Sequence, residues 1–392
     1  MAQEVGKFSV GLRCRFFRSG MLAQICCGAK PKLRSTTATK NGLKPYYELM
    51  PKIIKSILLP IFAVFAALLT GAALMLLAKT NPITAYTALF QESLTTYFGF
   101  SDTLSKTTPL LLASLGILIA LRAGLFNLGG EGQIYMGALG SVVVGLYLPN
   151  FPIWIHLPLA LTGGFLLGAI WGAIAGYLKV ARGLNEVLTT LLLNYIAQNF
   201  VNYMVNEPLI APDAPSPYTP LIAESARLPI ILPKTQAHAG ILLGLVIAII
   251  LAVVLSFTAF GYQVDAVGQN PTAARYAGIS VNRTILAVMG LSGGLAGLAG
   301  SAEVLGAKYR LFENFSPGYG FDAIAIALLS RGNPLAVILT SLFFGVLRSG
   351  ANVMQRSAGV SITIVYAIQG LTMLFLAISL KKESEDRSQE SE

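Results

Sequence analysis

The sequence predicts an all-α polytopic membrane protein, a helix bundle of about ten spans, some broken or short, with both termini in the cytoplasm. Apolar residues make up 54% of the 392 residues and charged residues only 12%, whereas soluble domains carry roughly 25% charged residues. Long apolar runs recur, and most approach the roughly 20 residues that a spanning helix requires. They lack the polar–apolar alternation of membrane β-strands. The runs are 53–78, 109–121, 134–148, 157–178, 187–205, 240–260, 285–302, 323–329 with 335–347, and 362–380.

The chain is expected to comprise three regions: a basic N-terminal extension (1–50), a transmembrane domain (51–382) and an acidic polar tail (383–392). The extension is rich in Lys and Arg, has Glu4 and Glu48 as its acidic residues, and is expected to be disordered. There are two alternatives: the extension is an Arg-rich targeting segment, or translation truly starts near Met50, at the end of the extension. All three cysteines lie in this extension, and they imply no disulfide framework.

The distribution of Lys and Arg predicts which side of the membrane each connection faces. The positive-inside rule places Lys52 and Lys55, before the first run, in the cytoplasm. Three features are expected outside: the mildly polar stretch 79–106, the Pro-rich loop 206–239 and the charge of Arg348. The net charge of +10 then lies mainly on the cytoplasmic face, next to anionic lipid, and does not indicate a nucleic-acid site.

Residues 123–140 combine several glycines with polar side chains inside an apolar neighbourhood. The glycines weaken a helix, and irregular backbone at membrane depth is tolerated only where protein or water covers it. A broken helix beside a translocation path and a tight cytoplasmic turn anchored by Arg122 are both open interpretations. The polar residues are Asn127, Glu131 and Gln133.

A polar stripe runs along the predicted span 187–205. Its members are four residues apart and therefore share one helix face. Polar groups in a membrane helix normally face the bundle interior or water. Lining of a path for a polar solute is favoured over hydrogen bonding between helices. The stripe is Glu186, Thr190, Asn194, Gln198 and Asn202, and the predicted path residues are Asn127, Glu131, Thr190, Asn194, Gln198 and Asn202.

Small residues recur at four-residue spacing in two other spans, at Gly164, Gly168, Gly172 and Gly176 and again within 289–301. This pattern is typical of helices in close contact in lipid. Near the C-terminus, 323–329 is too short to cross a membrane, and Pro334 separates it from 335–347. We expect two short helices joined by a turn.

The hydrophilic stretch 261–279 contains a short helix with marked ends. Asn270 is a good N-cap, Pro271 suits the first helical position, and Gly278 follows where a left-handed stop belongs. A helix of about two turns is unstable alone. The sequence therefore predicts that this helix docks into a partner.

The sequence contains no motif that would make the chain an enzyme. A P-loop, a dinucleotide fingerprint, zinc-ligand spacing and a nucleophile–base pair are all lacking, so we expect no catalytic residue, no metal and no cofactor. No chain of intramembrane carboxylates suggests a proton relay. The energy for any transport must come from a separate ATPase or from a gradient.

Four segments carry a resemblance to a known family: GLFNLGGEGQIYMGA (124–138), ARGLNEVLTTLLLNYIA (181–197), AVGQNPTAARYAGI (266–279) and GFDAIAIALLSRGNPL (320–335). In this order they resemble the permease subunit of ABC importers of the branched-chain amino acid, ribose and nucleoside group. Within that group they most resemble the nucleoside branch associated with basic membrane lipoproteins. The resemblance covers about residues 51–380.

The resemblance implies a multi-pass protein of the cell inner membrane that imports a small polar solute, preferably a nucleoside. A ribose-like sugar permease and a gradient-driven carrier are the alternatives. It implies three protein partners: a cytoplasmic ATPase that binds ATP, an identical or homologous second permease, and an extracytoplasmic solute-binding protein. The helix that matches 270–278 would sit in a groove of the ATPase, and the coupling element would comprise Gly268, Asn270, Pro271, Ala274, Arg275 and Gly278.

Overall fold

The computed structural model describes residues 62, 64–148, 151–212 and 215–359, with scattered residues between 361 and 375. They all belong to one of the chain's two units, Ser56–Glu392. The regular structure of this part is helical apart from isolated bridges, which confirms the all-α class. The N-terminal extension and the acidic tail lie outside the described residues, as does most of the predicted run 362–380.

The helices are as follows: α1 Val64–Leu77, α2 Pro82–Thr95, α3 Tyr97–Arg122, α4 Gly130–Tyr147, α5 Ile153–Arg182, α6 Glu186–Asn206, α7 Gly240–Phe257, α8 Ala259–Gln269, α9 Pro271–Tyr276, α10 Val281–Ala302, α11 Tyr319–Leu329 and α12 Pro334–Ala358. A π-helical turn, Glu303–Lys308, extends α10. Among the described residues, α3, α5, α7, α12 and the extended α10 are long and apolar enough to cross a membrane.

Two helices form the centre of the bundle. In the apolar 18-residue stretch of each helix, 83% of α3 and 78% of the extended α10 are buried, but only 22% of α5. α10 packs against α3, α4 and α5, while α12 packs against α2 and α3. Helices α5 and α7 therefore form the outside, with apolar faces suited to lipid.

The contact between α5 and α10 confirms the predicted small-residue packing. A side chain at Gly168 would overlap the carbonyl oxygen of Gly293, and one at Gly293 would overlap the carbonyl oxygen of Gly168. Close approach of two backbones in lipid requires small residues at both positions. These glycines thus hold α5 against the central helix.

The stretch 79–106 is more regular than the sequence analysis anticipated. It contains α2 and the first part of α3, both with good N-caps: the Asn81 side chain accepts from Ile83 N and the Thr96 side chain from Gly99 N. Four of the polar residues here, Ser93, Ser101, Thr103 and Ser105, are small hydroxyl residues that are buried, and Thr103 Oγ1 donates to Ser93 O at 3.1 Å. Their mild polarity concealed two packed helices.

The expectation of two short helices near the C-terminus is correct for α11 and wrong for α12. Helix α12 begins at Pro334 and continues to Ala358. The sequence analysis ended it at residue 347 because it placed the charge of Arg348 outside. Arg348 is instead only 7% exposed, and it pairs with Asp322 inside the bundle.

Candidate functional site

The predicted coupling stretch forms two short helices, α8 and α9. Asn270 separates them, and its side-chain oxygen accepts from Thr272 N and Ala273 N, both at 3.0 Å. Gly278 follows with a φ of +86°, as expected of a left-handed stop. Within residues 271–278 only Ala274 is buried, so α9 presents almost all of its surface outwards.

Helix α8 is tied to the C-terminal end of α3. Arg122 Nε donates to Asp265 Oδ1 at 2.8 Å, and Arg122 Nη2 forms a second, shorter bond with Asp265 Oδ2. A side chain at Gly268 would overlap the carbonyl oxygen of Arg122. Gly268 and Ala274 therefore face the bundle, whereas Asn270, Pro271, Arg275 and Gly278 are exposed.

Residues 123–129 connect α3 to α4 and are held by a buried amide network. Asn127 Oδ1 accepts from Gly129 N at 2.9 Å, and Asn127 Nδ2 donates to Ser292 Oγ of α10 at 2.8 Å. The Asn127 and Gln133 amides also bond to each other. This connection is both a break between helices and a turn, and its polar groups are satisfied within the protein.

The polar stripe of α6 contacts other parts of the chain by hydrogen bonds. Asn194 Oδ1 accepts from Gly132 N and Asn194 Nδ2 donates to Leu128 O, both at 2.8 Å. Asn202 Nδ2 donates to Asn314 Oδ1 at 3.0 Å. The side chain of Gln198 forms no hydrogen bond with another described residue, and Gln198 is partly exposed. That the stripe lines a path stays a prediction.

The two stripe members nearest the start of α6, Glu186 and Thr190, bond within α6 or to the end of α5. The Thr190 hydroxyl is buried and donates to Glu186 O at 2.6 Å within α6. The Glu186 carboxylate accepts from Lys179 Nζ at 2.6 Å. This ion pair fixes the turn between α5 and α6.

A buried ionic group between α4, α11 and α12 was missed by the sequence analysis. We call it the Arg348 cluster, and its members are Glu131, Ser316, Tyr319, Asp322 and Arg348. Arg348 Nε lies 3.1 Å from Asp322 Oδ2, and the guanidinium carbon lies 4.5 Å from the centre of the Tyr319 ring. Glu131 Oε2 accepts from Gly320 N at 2.7 Å and so caps the N-terminus of α11.

The cluster lies where a helix is discontinuous. Residues 309–318 have no helical structure, and α11 begins only at Tyr319. Tyr309, Asn314 and Gly318 have positive φ in this segment. Discontinuous helices with irregular backbone near the bilayer midplane are typical of solute sites in transporters. The signal in the sequence was a set of charged residues next to the ends of apolar runs, but their separation along the chain concealed the grouping.

Neither site offers a group of metal ligands. Among the described residues there is no group of three or more His, Cys, Asp or Glu side chains that could hold an ion.

Comparison with known proteins gives one family. The family described as "Branched-chain amino acid transport system / permease component" matches residues 99–377. This match includes the Arg348 cluster, the polar stripe of α6 and both coupling helices.

Individual relatives match over most of their length. The chain is 36% identical over 330 residues to the glucose ABC transporter permease protein of Haloferax volcanii, covering 82% of this chain and 87% of that protein. It is 34% identical over 342 residues to the guanosine ABC transporter permease protein of Bacillus subtilis, covering 84% and 95%. It is 32% identical over 333 residues to a nucleoside ABC transporter permease protein of Lactococcus lactis, covering 83% and 91%.

Proposed function

The chain belongs to the family of permease components of branched-chain amino acid transport systems, and from this premise we propose that it forms the path of an ATP-driven importer for a sugar-containing solute, preferably a nucleoside. Permease subunits of ABC transporters are integral membrane proteins and not enzymes, so a separate subunit hydrolyses ATP. The observation that carries the proposal is the exposed helix α9, joined through α8 to the inner end of α3.

The coupling of ATP hydrolysis to transport runs through α9. Its N-cap, Asn270, and its stop, Gly278, make it a rigid unit of six residues. Arg275 is exposed on it, and the small neighbouring side chains leave room for a groove to close around the helix. When the ATPase subunits close, α9 moves and α8 transmits the movement to α3 through Arg122 and Asp265.

The solute class follows from what the relatives share. Glucose is a sugar, and guanosine and other nucleosides each contain one. Sugar hydroxyls both donate and accept hydrogen bonds, and amide and carboxylate side chains are suitable partners for them. Two of the three relatives are nucleoside or guanosine permeases, which favours a nucleoside. A simple sugar is the second candidate because of the 36% identity to a glucose permease.

The proposed arrangement has about ten spans with both termini in the cytoplasm. Helices α8 and α9 face the ATPase, and the loop before α7 faces the extracytoplasmic binding protein. A second permease, identical or homologous, completes the path.

The predicted path residues divide into two groups. We assign Asn127, Thr190 and Asn194 to the support of the α3–α4 connection and of α6, because their polar atoms bond within the protein. Gln198 and Asn202 lie further along α6, and Glu131 borders the Arg348 cluster. These three are closer to the proposed route of the solute.

Uptake by the reconstituted transporter tests the proposal. The permease is purified with its ATPase and second permease, placed in proteoliposomes, and supplied with the binding protein, ATP and labelled guanosine. ATP-dependent accumulation, reduced by excess unlabelled nucleoside but not by glucose, supports a nucleoside importer. Accumulation of labelled glucose, but not of labelled guanosine, in the same system supports the sugar alternative. Accumulation that persists with a hydrolysis-deficient ATPase would indicate a gradient-driven carrier and overturn the proposal.

The assignment of α9 is tested by Arg275→Glu in the same system. The charge reversal is on an exposed side chain, so the permease should insert and fold normally. We expect less ATPase to co-purify and solute-stimulated hydrolysis to fall. Unchanged co-purification and hydrolysis would exclude α9 as the ATPase contact.

A further inference from the structure

The Arg348 cluster contains buried polar atoms that lack partners. Ser316 Oγ, Asp322 Oδ2 and Arg348 Nη1 have no hydrogen-bond partner among the described residues. Asp322 Oδ2 and Arg348 Nε form an ion pair without the alignment of a hydrogen bond. The Ser316 hydroxyl lies near the Glu131 carboxyl group, but not in the geometry of a hydrogen bond. Buried polar groups are normally paired, so each exception calls for an explanation.

Other buried polar groups nearby do not share this property. The Asn127, Gln133 and Asn194 amides are fully engaged with neighbouring backbone and side chains. Of the seven buried side-chain atoms without a hydrogen-bond partner among the described residues, four belong to Ser316, Asp322 and Arg348, where α4, α11, α12 and residues 309–318 meet. The other three belong to Ser93, Arg227 and His238. An arrangement of this kind can accept a ligand that supplies the missing partners.

The chemistry of the cluster fits a neutral hydroxylated solute. A hydroxyl group can donate to Asp322 Oδ2 or Ser316 Oγ and accept from Arg348 Nη1. Three carboxyl groups, those of Glu131, Glu303 and Asp322, interact electrostatically with the guanidinium of Arg348, and this excess of acidic groups disfavours an anion. Two further nearby charges, Asp102 and Lys106, pair with each other at 3.1 Å, and Lys308 interacts electrostatically with Glu303.

An aromatic wall adjoins these polar groups. Tyr135 lies one turn after Glu131 on α4, and its ring centre is 4.8 Å from that of Phe315. Phe315 belongs to the same irregular segment as Ser316. Aromatic faces beside polar groups are common in sites for ring-containing ligands.

The position of the cluster suits a translocation path. Arg348 lies about 21 Å along α12 from Pro334, at about 1.5 Å per residue, which is within the roughly 30 Å thickness of a bilayer core. Residues 309–318 cover the cluster from one side. They are held by Arg348 Nη2, which donates to Pro317 O at 2.7 Å, and by the contacts of Asn314 with Asn202.

We propose that Ser316, Asp322 and Arg348 form the solute-binding site, at which they hydrogen-bond the sugar hydroxyls of the solute once the contact between Arg348 and Pro317 opens. This inference rests on the proposed function, because it assumes that the chain conducts a hydroxylated solute. Arg348 has a double role: it holds the segment closed through Pro317 and presents Nη1 to the solute. The entering solute replaces contacts within the cluster by contacts to itself.

The test compares variants of the assembled transporter in proteoliposomes, with labelled guanosine and labelled 2′,3′-dideoxyguanosine as probes. The dideoxy analogue lacks the two hydroxyls that the site would bind. We expect Asp322→Asn to raise the KM for guanosine at least tenfold and to abolish the preference for guanosine over the analogue. Ser316→Ala should raise the KM about threefold, and it removes no side-chain hydrogen bond within the described part of the chain, where Ser316 Oγ has none.

Asp102→Asn is the matched control, because it removes a nearby carboxylate charge outside the proposed site while an amide oxygen can still accept from Ser349 Oγ. It should leave both KM values within twofold of the wild type. If Ser316→Ala and a correctly assembled Asp322→Asn both keep the wild-type KM and preference, the cluster is a structural ion pair and the inference is wrong. If Asp322→Asn does not assemble, Ser316→Ala decides alone. Failure of the wild type to accumulate guanosine would instead overturn the proposed solute.

Discussion

Arg122 and Asp265 join the last residue of α3 to the middle of α8 by two parallel hydrogen bonds, a geometry that fixes orientation as well as distance. The two residues are far apart in sequence, and no other ion pair that we describe links the coupling helices to the bundle. Because the α3–α4 connection begins at the next residue, movement of α8 reaches Asn127 and Glu131 through a short segment of chain. The pair is thus the structural link between the predicted ATPase contact and the Arg348 cluster.

Asp265→Asn should weaken this link without unfolding the protein. The side chains are 23% and 33% exposed, so the ion pair contributes about 1 kcal/mol or less to stability. We expect ATPase co-purification to be retained while ATP-dependent uptake falls about tenfold, which corresponds to about 1.4 kcal/mol. The double variant Arg122→Asp with Asp265→Arg should recover part of the uptake. Full uptake by Asp265→Asn would mean that movement reaches the bundle by another route.

Gly268→Ala tests the same link by steric means. The added methyl group would overlap the carbonyl oxygen of Arg122, so α8 must shift from α3 at a cost of about 1–3 kcal/mol. Gly183→Ala is the matched control: Gly183 has a φ of +66° with open space around it, and the left-handed conformation costs about 1–2 kcal/mol with a side chain. Thermal unfolding in detergent should detect similar losses in both. Uptake should fall only in Gly268→Ala, and an equal fall in both would assign the effect to stability.

The coupling helix could be predicted from sequence because its determinants are local. Asn270, Pro271 and Gly278 act within a few residues of one another, and each has a fixed place in a helix. The same Asn-Pro signature at Asn81 and Pro82 begins α2. It was passed over there because the following residues are only mildly apolar. Local capping rules were more informative at that position than hydropathy.

The Arg348 cluster could not be predicted because its determinants are not local. Glu131 and Arg348 belong to helices separated by most of the chain, and a charge inside an apolar run indicates burial only once its partner is known. For Arg348 the sequence favoured an external position, since an unpaired charge in a bilayer is costly. Pairing with Asp322 removes that cost. The stripe of α6 was found correctly as a helix face, but periodicity does not reveal whether the face meets solute or protein.

Acidification should destabilise the protein through His238. This residue lies in the loop before α7, and burial lowers its pKa to about 4 from an ordinary 6.5. Because the folded-state pKa is below the unfolded one, the unfolded state binds more protons between pH 6.5 and 4. Stability is therefore complete above about pH 6.5 and falls as the pH drops towards 4, by roughly 3 kcal/mol in total. In His238→Gln, this fall in stability between pH 6.5 and 4 should be absent when thermal unfolding is measured in detergent. The same pH profile in the variant as in the wild type would contradict the assignment.

Asn194→Leu and Gln198→Leu separate the two interpretations of the α6 stripe. Asn194 satisfies Gly132 N and Leu128 O, so its replacement leaves two buried backbone groups unpaired at about 1–3 kcal/mol each. We expect a clear loss of thermal stability in Asn194→Leu, with uptake falling only in proportion to the folded fraction. Gln198 has no hydrogen-bond partner among the described residues, so Gln198→Leu should keep the wild-type stability. A raised KM for solute in Gln198→Leu, with an unchanged amount of assembled transporter, would support a place for this part of the stripe on the path. If both variants show wild-type uptake at equal amounts of folded protein, the α6 stripe does not line the path, and only the Arg348 cluster remains assigned to it.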